Sequence, residues 1–160
     1  MKIFIFRHAQ KSMDFSGDPD LNSQGHAQAQ ELAKKVLSGE LPRPTALWVS
    51  PKKRAQNTFL PVSEELQIPL QITPDLLEQQ SHENTTAFRQ RLQALLNKAM
   101  DSGEEVLFLC SHYDVTVEFM SLIDADKDLS MFTHWHSCQY IGFDVQEPDF
   151  KLLCFERISV

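Results

Sequence analysis

No segment of the 160 residues approaches the roughly 18 consecutive apolar residues of a membrane-spanning helix. The start offers one cation, Lys2, and then a short apolar run, too brief for the apolar region of a secretion signal. There is no basic excess either. The 15 Lys and Arg residues stand against 22 Asp and Glu, for a net charge of -7. Nucleic acids and anionic membranes reward basic faces, so neither is expected as a partner. Cysteine is scarce: Cys110, Cys138 and Cys154 are odd in number and lack CxxC spacing. Cys110 and Cys154 lie in apolar runs and are expected as buried free thiols. Reduced thiols suit the cytoplasm. No repeat, low-complexity tract or long linker divides the chain. At 42% hydrophobic and 23% charged, it has material for one core. The expectation is a soluble, cytoplasmic, single domain over residues 1–160, with no apolar stripe left over for a dimer face, hence a monomer.

What is present alternates between strand and helix. Ile3 to Phe6, Ala46 to Val49 and Val106 to Cys110 are continuously apolar. Strands apolar on both faces are covered on both faces, the habit of parallel sheets. Between Asn22 and Ser38, Ala29, Leu32, Ala33, Val36 and Leu37 form a helical stripe, with Asn22 or Ser23 as cap and Gly39 as stop. Ser50-Pro51 predicts a cap and first-turn proline for a second helix, which Pro61 should kink or end. Thr85 to Met100 carries another stripe, and a further helix is expected from Tyr113 to about Ile123. Tyr140 to Val145 and Leu152 to Glu156 read as two strands around Glu147-Pro148-Asp149. The fold class is α/β: a single three-layer domain, with a mostly parallel central sheet and helices on both faces.

Open α/β sheets bind ligands at the carboxyl ends of their strands. Arg7 and His8 follow the first apolar run. Ser50-Pro51 follows the second, with Arg54 one turn into the next helix, and Ser111-His112 follows the third. Any one of these has an ordinary reading as a surface ion pair or a hydrogen-bonded loop residue. Together, two arginines and two histidines at one sheet edge suit a phosphoryl group, whose oxygens match the planar guanidinium fork.

These residues resemble the histidine phosphatase superfamily, also called phosphoglycerate-mutase-like. The family's first strand ends in Arg-His-Gly, and here it reads "FIFRHAQKS". "LNSQGHAQAQELA" supplies Leu21, Gly25, Gln28 and Ala29 of its first helix motif, with Asn22 for the usual Thr. "SPKKRAQNT" keeps Ser50, Pro51, Arg54, Ala55 and Thr58. "LLEQQ" places Glu78 at the family's acid position, and "LFLCSHYDV" ends a strand in Ser-His. The motifs follow in order along nearly the whole chain. Two positions depart from the pattern. Ala9 replaces a glycine and restricts the loop. Tyr113-Asp114 replaces small residues: Tyr113 could narrow the pocket, and Asp114 could repel an anionic substrate or pair with an arginine.

With the residue cluster, the resemblance implies a metal-independent phosphatase that needs no cofactor. His8 would be the nucleophile, forming a phosphohistidine. Arg7, Arg54 and a cationic His112 would bind the phosphoryl oxygens. Glu78 would be the general acid and base, with Asp14, His82 and Glu83 in reserve. The segments Gln79 to Thr86 and Asp124 to Ser130 are short and polar, leaving little to roof the pocket against water. An open pocket favours hydrolysis over mutase chemistry. The size resembles a short bacterial branch acting on phosphohistidine, so the partner is a phosphorylated substrate, either a small phosphate ester or a phosphoprotein. The alternative is a non-catalytic module of the same fold that only binds phosphate or a phosphoprotein. A third reading takes His134, His136 and Cys138 of "THWHSC" as metal ligands on one strand face. Its ordinary counterpart, a loop entering a strand with Trp135 on the core side, is preferred.

Overall fold

The computed structural model describes residues 1–123 and 134–160. Six strands form one sheet: β1 (Lys2–Arg7), β2 (Ala46–Val49), β3 (Leu70–Ile72), β4 (Val106–Ser111), β5 (Gln139–Gln146) and β6 (Asp149–Arg157), in the order β3-β2-β4-β1-β5-β6. The first four strands in that order run parallel. β5 pairs antiparallel with β1, and β6 with β5, so the hairpin adds an antiparallel edge to a parallel centre. Asp124 to Ser130, the second of the two segments expected to leave the pocket open, lies outside the described residues.

The side-chain period of two sends alternate strand residues to opposite faces. Phe4, Phe6, Leu47, Val49, Phe108 and Cys110 pack on one face under α1 (Ser23–Ser38) and α2 (Lys53–Leu66). Ile3, Ile5, Trp48, Leu107 and Leu109 pack on the other under α3 (Thr85–Met100) and α4 (Tyr113–Ile123). Both faces are therefore covered, as the apolar runs require.

The α1 boundaries follow the sequence signals. The Asn22 side chain accepts from the Gly25 amide, and Gly39 closes the helix in the left-handed region at φ 84°. Leu37 departs from the expected stripe: it sits in the last turn and faces solvent, while Gln28 is buried instead. α2 starts at Lys53, later than Ser50-Pro51 suggests, and the Ser50 hydroxyl both meets His112 (2.8 Å) and accepts from the Lys52 amide (3.4 Å). Pro61 does not end α2, which runs on to Leu66. Val62 and Leu66 are buried beyond the proline, and their packing offsets its lost amide donor. Cys154 is only half-buried, whereas Cys138 is fully buried alongside Cys110, and all three are free thiols. Among the described residues no helix is long and apolar enough to cross a membrane.

Candidate active site

β4 lies between β1 and β2, and the register sets Arg7 opposite Ser111 and Val49 opposite Cys110. The three strand ends therefore open side by side. Two main-chain bonds extend the register past the strands: His8 donates to the Ser111 carbonyl (2.9 Å) and Ser50 to the Cys110 carbonyl (3.0 Å). His8, Arg54 and His112 meet there, each buried.

His8 has a defined tautomer. Its Nδ1 lies 2.7 Å from the Ala9 carbonyl oxygen, which can only accept, so the ring proton sits on Nδ1. Nε2 carries the lone pair and accepts from Arg54 Nε at 3.3 Å. Burial, followed by the neighbouring charges of Arg54, Arg7 and Lys11, lowers the His8 pKa to about 3. The group is a neutral base at physiological pH.

His112 is polarised the other way. Arg54 Nη2, a donor, stands 3.3 Å from its Nδ1, so its Nε2–H points to Ser50 Oγ at 2.8 Å. The His8 and His112 rings meet edge to face, with centroids 5.4 Å apart. Burial, His8 and the cations Arg54, Lys52 and Arg7 lower the His112 pKa to about 2. His112 is thus neutral beside the fixed guanidinium, and its cationic form is expected only next to a phosphate dianion.

Arg54 is the hub. Besides both histidines it donates from Nη2 to Glu78 Oε2 at 2.9 Å, and Asp18 Oδ1 stands 3.9 Å from Nη1. Glu78 also faces Lys52 Nζ at 4.0 Å, and its side chain is 35% exposed. Arg7 donates from Nη1 to the Trp135 carbonyl (2.5 Å) and lies over the Tyr113 ring, 5.5 Å from its centroid. Its buried Nε has no hydrogen-bond partner among the described residues.

The two unusual positions take up quiet roles. Ala9 does not adopt a positive φ, and its Cβ belongs to the core beside α1 and α2. Its amide donates to Thr58 Oγ1 (2.9 Å), which itself donates to the Arg54 carbonyl (2.7 Å). A single α2 hydroxyl thereby ties the loop to the helix bearing Arg54. Among the described residues Asp114 forms no ion pair with an arginine. Its Oδ2 accepts from the Gln79 amide at 2.8 Å, next to Glu78.

Of the reserve acids, Glu83 forms a two-pronged ion pair with Arg91, with bonds of 2.9 and 2.8 Å. Asp14 is an exposed loop residue bonded to Ser12 and Ser16. His82 is exposed in the turn before α3. None of the three joins the cluster. The "THWHSC" segment places His134 and His136 edge to face with centroids 5.0 Å apart, while Cys138 is sunk in the core. Among the described residues no three His, Cys, Asp or Glu side chains come together as a metal would need. Trp135 is buried on the core side. Ser50 as a partner of His112, Thr58 as a tie and Arg91 had no role in the sequence reading. Ser50 and Thr58 stood in a recognised motif, but only the fold shows what they touch.

A buried guanidinium flanked by two neutral imidazoles stands at the carboxyl edge of a parallel sheet, an arrangement suited to a phosphoryl group. The family model of the histidine phosphatase superfamily (branch 1) matches residues 3–83, just over half of the chain. The chain belongs to that superfamily and is a phosphatase, a hydrolase. No curated protein matches it in sequence. Among solved structures it is similar to the protein histidine phosphatase SixA complexed with tungstate: 17% identity, TM-score 0.77, covering 99% of this chain and 97% of that one. It is also similar to the alpha-ribazole phosphatase of Shigella flexneri, at 16% identity and TM-score 0.80 over 100% of this chain and 98% of that one. A phosphoserine phosphatase of Entamoeba histolytica follows at 12% identity and TM-score 0.74, covering 96% and 95%. At these identities the likeness is one of fold.

Proposed function

We propose that the protein hydrolyses phosphoryl groups through a phosphohistidine formed on His8, without a metal ion. The observation that carries this reading is the His8 ring: its proton is held on Nδ1 by the Ala9 carbonyl, and Nε2 keeps its lone pair beside Arg54. In the first step Nε2 attacks phosphorus while the bond to the leaving oxygen breaks and its electron pair leaves with that oxygen. Glu78, in its protonated form, gives the leaving oxygen a proton. In the second step the Glu78 carboxylate takes a proton from water. The resulting oxygen attacks phosphorus, and the P–N pair returns to Nε2.

Arg54 and Arg7 would hold the non-bridging oxygens, supplying fixed positive charge where it is needed in the transition state. Phosphate oxygens would take over the Arg54 donors that now reach Glu78 and His8. That exchange frees Glu78 to turn toward the leaving group. A phosphate dianion would also oppose the charges that lower the His112 pKa and favour its cationic, donating form.

The mouth of the site supports a choice of substrate class. Glu78 at 35% side-chain exposure and Tyr113 at 45% leave the described rim open, which favours hydrolysis and admits a bulky substrate. We place the substrate among phosphorylated proteins, phosphohistidine-bearing ones first, with small phosphate esters as the second class. The phosphoamide bond of phosphohistidine needs little help from an acid.

Replacing His8 with Ala is expected to lower kcat on aryl phosphates at least about 1,000-fold, given the loss of a covalent nucleophile. A chelator should leave the wild-type rate unchanged. Turnover by the variant at the wild-type rate would refute the nucleophile, and loss of activity with the chelator would refute the metal-free scheme.

A further inference from the structure

Arg91 lies outside the phosphate cluster, on α3, yet it is the most heavily engaged side chain near it. A guanidinium has five N–H donors, and here every one is used. Nε and Nη2 donate to Glu83 Oε2 (2.9 Å) and Oε1 (2.8 Å). Nη1 donates to the carbonyls of Asp75 (2.6 Å) and Leu77 (2.9 Å). The second Nη2 proton goes to the Glu78 carbonyl (3.2 Å). The guanidinium also lies over the Phe88 ring, 5.1 Å from its centroid, so its plane is fixed by packing.

All these acceptors belong to one stretch of chain, residues 75–83, with Glu78 in its middle. The stretch has other ties that converge on the same residue. Asp114 Oδ2 accepts from the Gln79 amide (2.8 Å), and Glu83 Oε1 accepts from the Gln80 amide (2.9 Å). The Gln80 side chain donates back to the Glu78 carbonyl (2.8 Å). The Glu83 side chain retains only 9% of its accessible surface, and Arg91 above all holds its pKa down to about 2. The ion pair therefore persists across the working pH range. From this stretch the Glu78 side chain reaches into the cluster, to Arg54 Nη2 at 2.9 Å.

We propose that Arg91, with Glu83 as its counter-ion, is the positioning residue that holds the Glu78 backbone so that its carboxyl group is presented to the leaving oxygen. The inference rests on the reading of Glu78 as the proton donor. Lys at this position keeps the charge but lacks the planar fork, so it cannot reach three carbonyls and a carboxylate together. Misplacing an acid weakens proton transfer to the leaving group while leaving the phosphate clamp of Arg7, Arg54 and His112 intact.

The test compares Arg91→Lys, Glu83→Gln, Glu78→Gln and the Arg91→Lys/Glu78→Gln double variant on a series from aryl to alkyl phosphates. For Arg91→Lys, kcat/KM on alkyl phosphates, which reports the first step and not the later hydrolysis that Glu78 also serves, is expected to fall about tenfold or more. On the aryl esters it should fall much less, and KM for the alkyl esters should change less than about twofold. Glu83→Gln should show the same pattern more weakly, and it serves alone if Arg91→Lys does not fold. The double variant should be no slower on alkyl phosphates than Glu78→Gln by itself. Equal losses on every substrate, a change mainly in KM, or additive losses in the double variant would overturn the positioning role. Glu78→Gln decides the underlying reading separately: if its losses do not depend on the leaving group, Glu78 is not the acid and the role assigned to Arg91 falls with it.

Discussion

Gly25 has no room for a side chain. A Cβ there would stand 2.0 Å from the main-chain oxygen of Gln10, inside the loop that follows His8. One turn on, Gln28 Oε1 accepts from the Gln10 amide (2.9 Å), and the Asn22 amide donates to the Gln10 carbonyl (3.0 Å). The start of α1 is therefore a cradle for the nucleophile's loop. Gly25→Ala is expected to cost about 1–3 kcal/mol by overpacking, and to lower kcat/KM as well because the loop must move. Denaturant unfolding and aryl phosphate kinetics on the same variant check both. At this scale Arg7, His8, Arg54 and His112 were legible because each follows an apolar run at the same end of the sheet. Glu78 was legible only through resemblance, since no local signal separates it from other loop carboxylates. The role of Arg91 was not legible at all: its acceptors are mostly main-chain carbonyls, which every residue carries.

The elements were legible where periodicity and caps agree. α1 with Asn22 and Gly39, α3 up to Met100, and the three apolar strands lie close to where the sequence places them. Two misreadings had tertiary causes. Ser50 looks like a helix cap, yet its hydroxyl serves His112, and α2 begins without a side-chain cap at Lys52. Pro61 predicts a kink or an end to α2, and the helix does not end there because the core claims the turn beyond it. β3, three residues long, escaped because so short a run carries no period. Pro61 cannot donate to the carbonyl four residues back, so Pro61→Ala should restore a helix bond. A gain of about 1–2 kcal/mol in unfolding free energy is expected, less than the full cost of an interior proline because the unfolded chain also gains freedom. No gain, or a loss, would mean that the helix is built around the proline.

For the whole molecule, two neutral histidines held beneath a cationic cluster make stability depend on pH. The folded-state pKa values of His8 and His112, about 3 and about 2, lie below the usual histidine value of 6.5. The unfolded chain therefore binds protons that the native fold refuses. This contribution to stability is fully present above pH 6.5 and is lost as pH falls toward 3. The slope is about 1.4 kcal/mol per pH unit for each histidine. Urea unfolding between pH 7.5 and 5 should show the decline, and His112→Gln should flatten it. Parallel profiles for the variant and the wild type would contradict the buried neutral state.

The central claim is the covalent step on His8. Mixing the wild-type protein with a phosphate ester labelled in its phosphoryl group, and quenching within the first turnovers, should trap label on the protein. The label should be lost in acid and kept in base, as a phosphoramidate is, and peptide mapping should place it on His8. Label on any other residue, or turnover without label under conditions that trap the first step, would contradict the account.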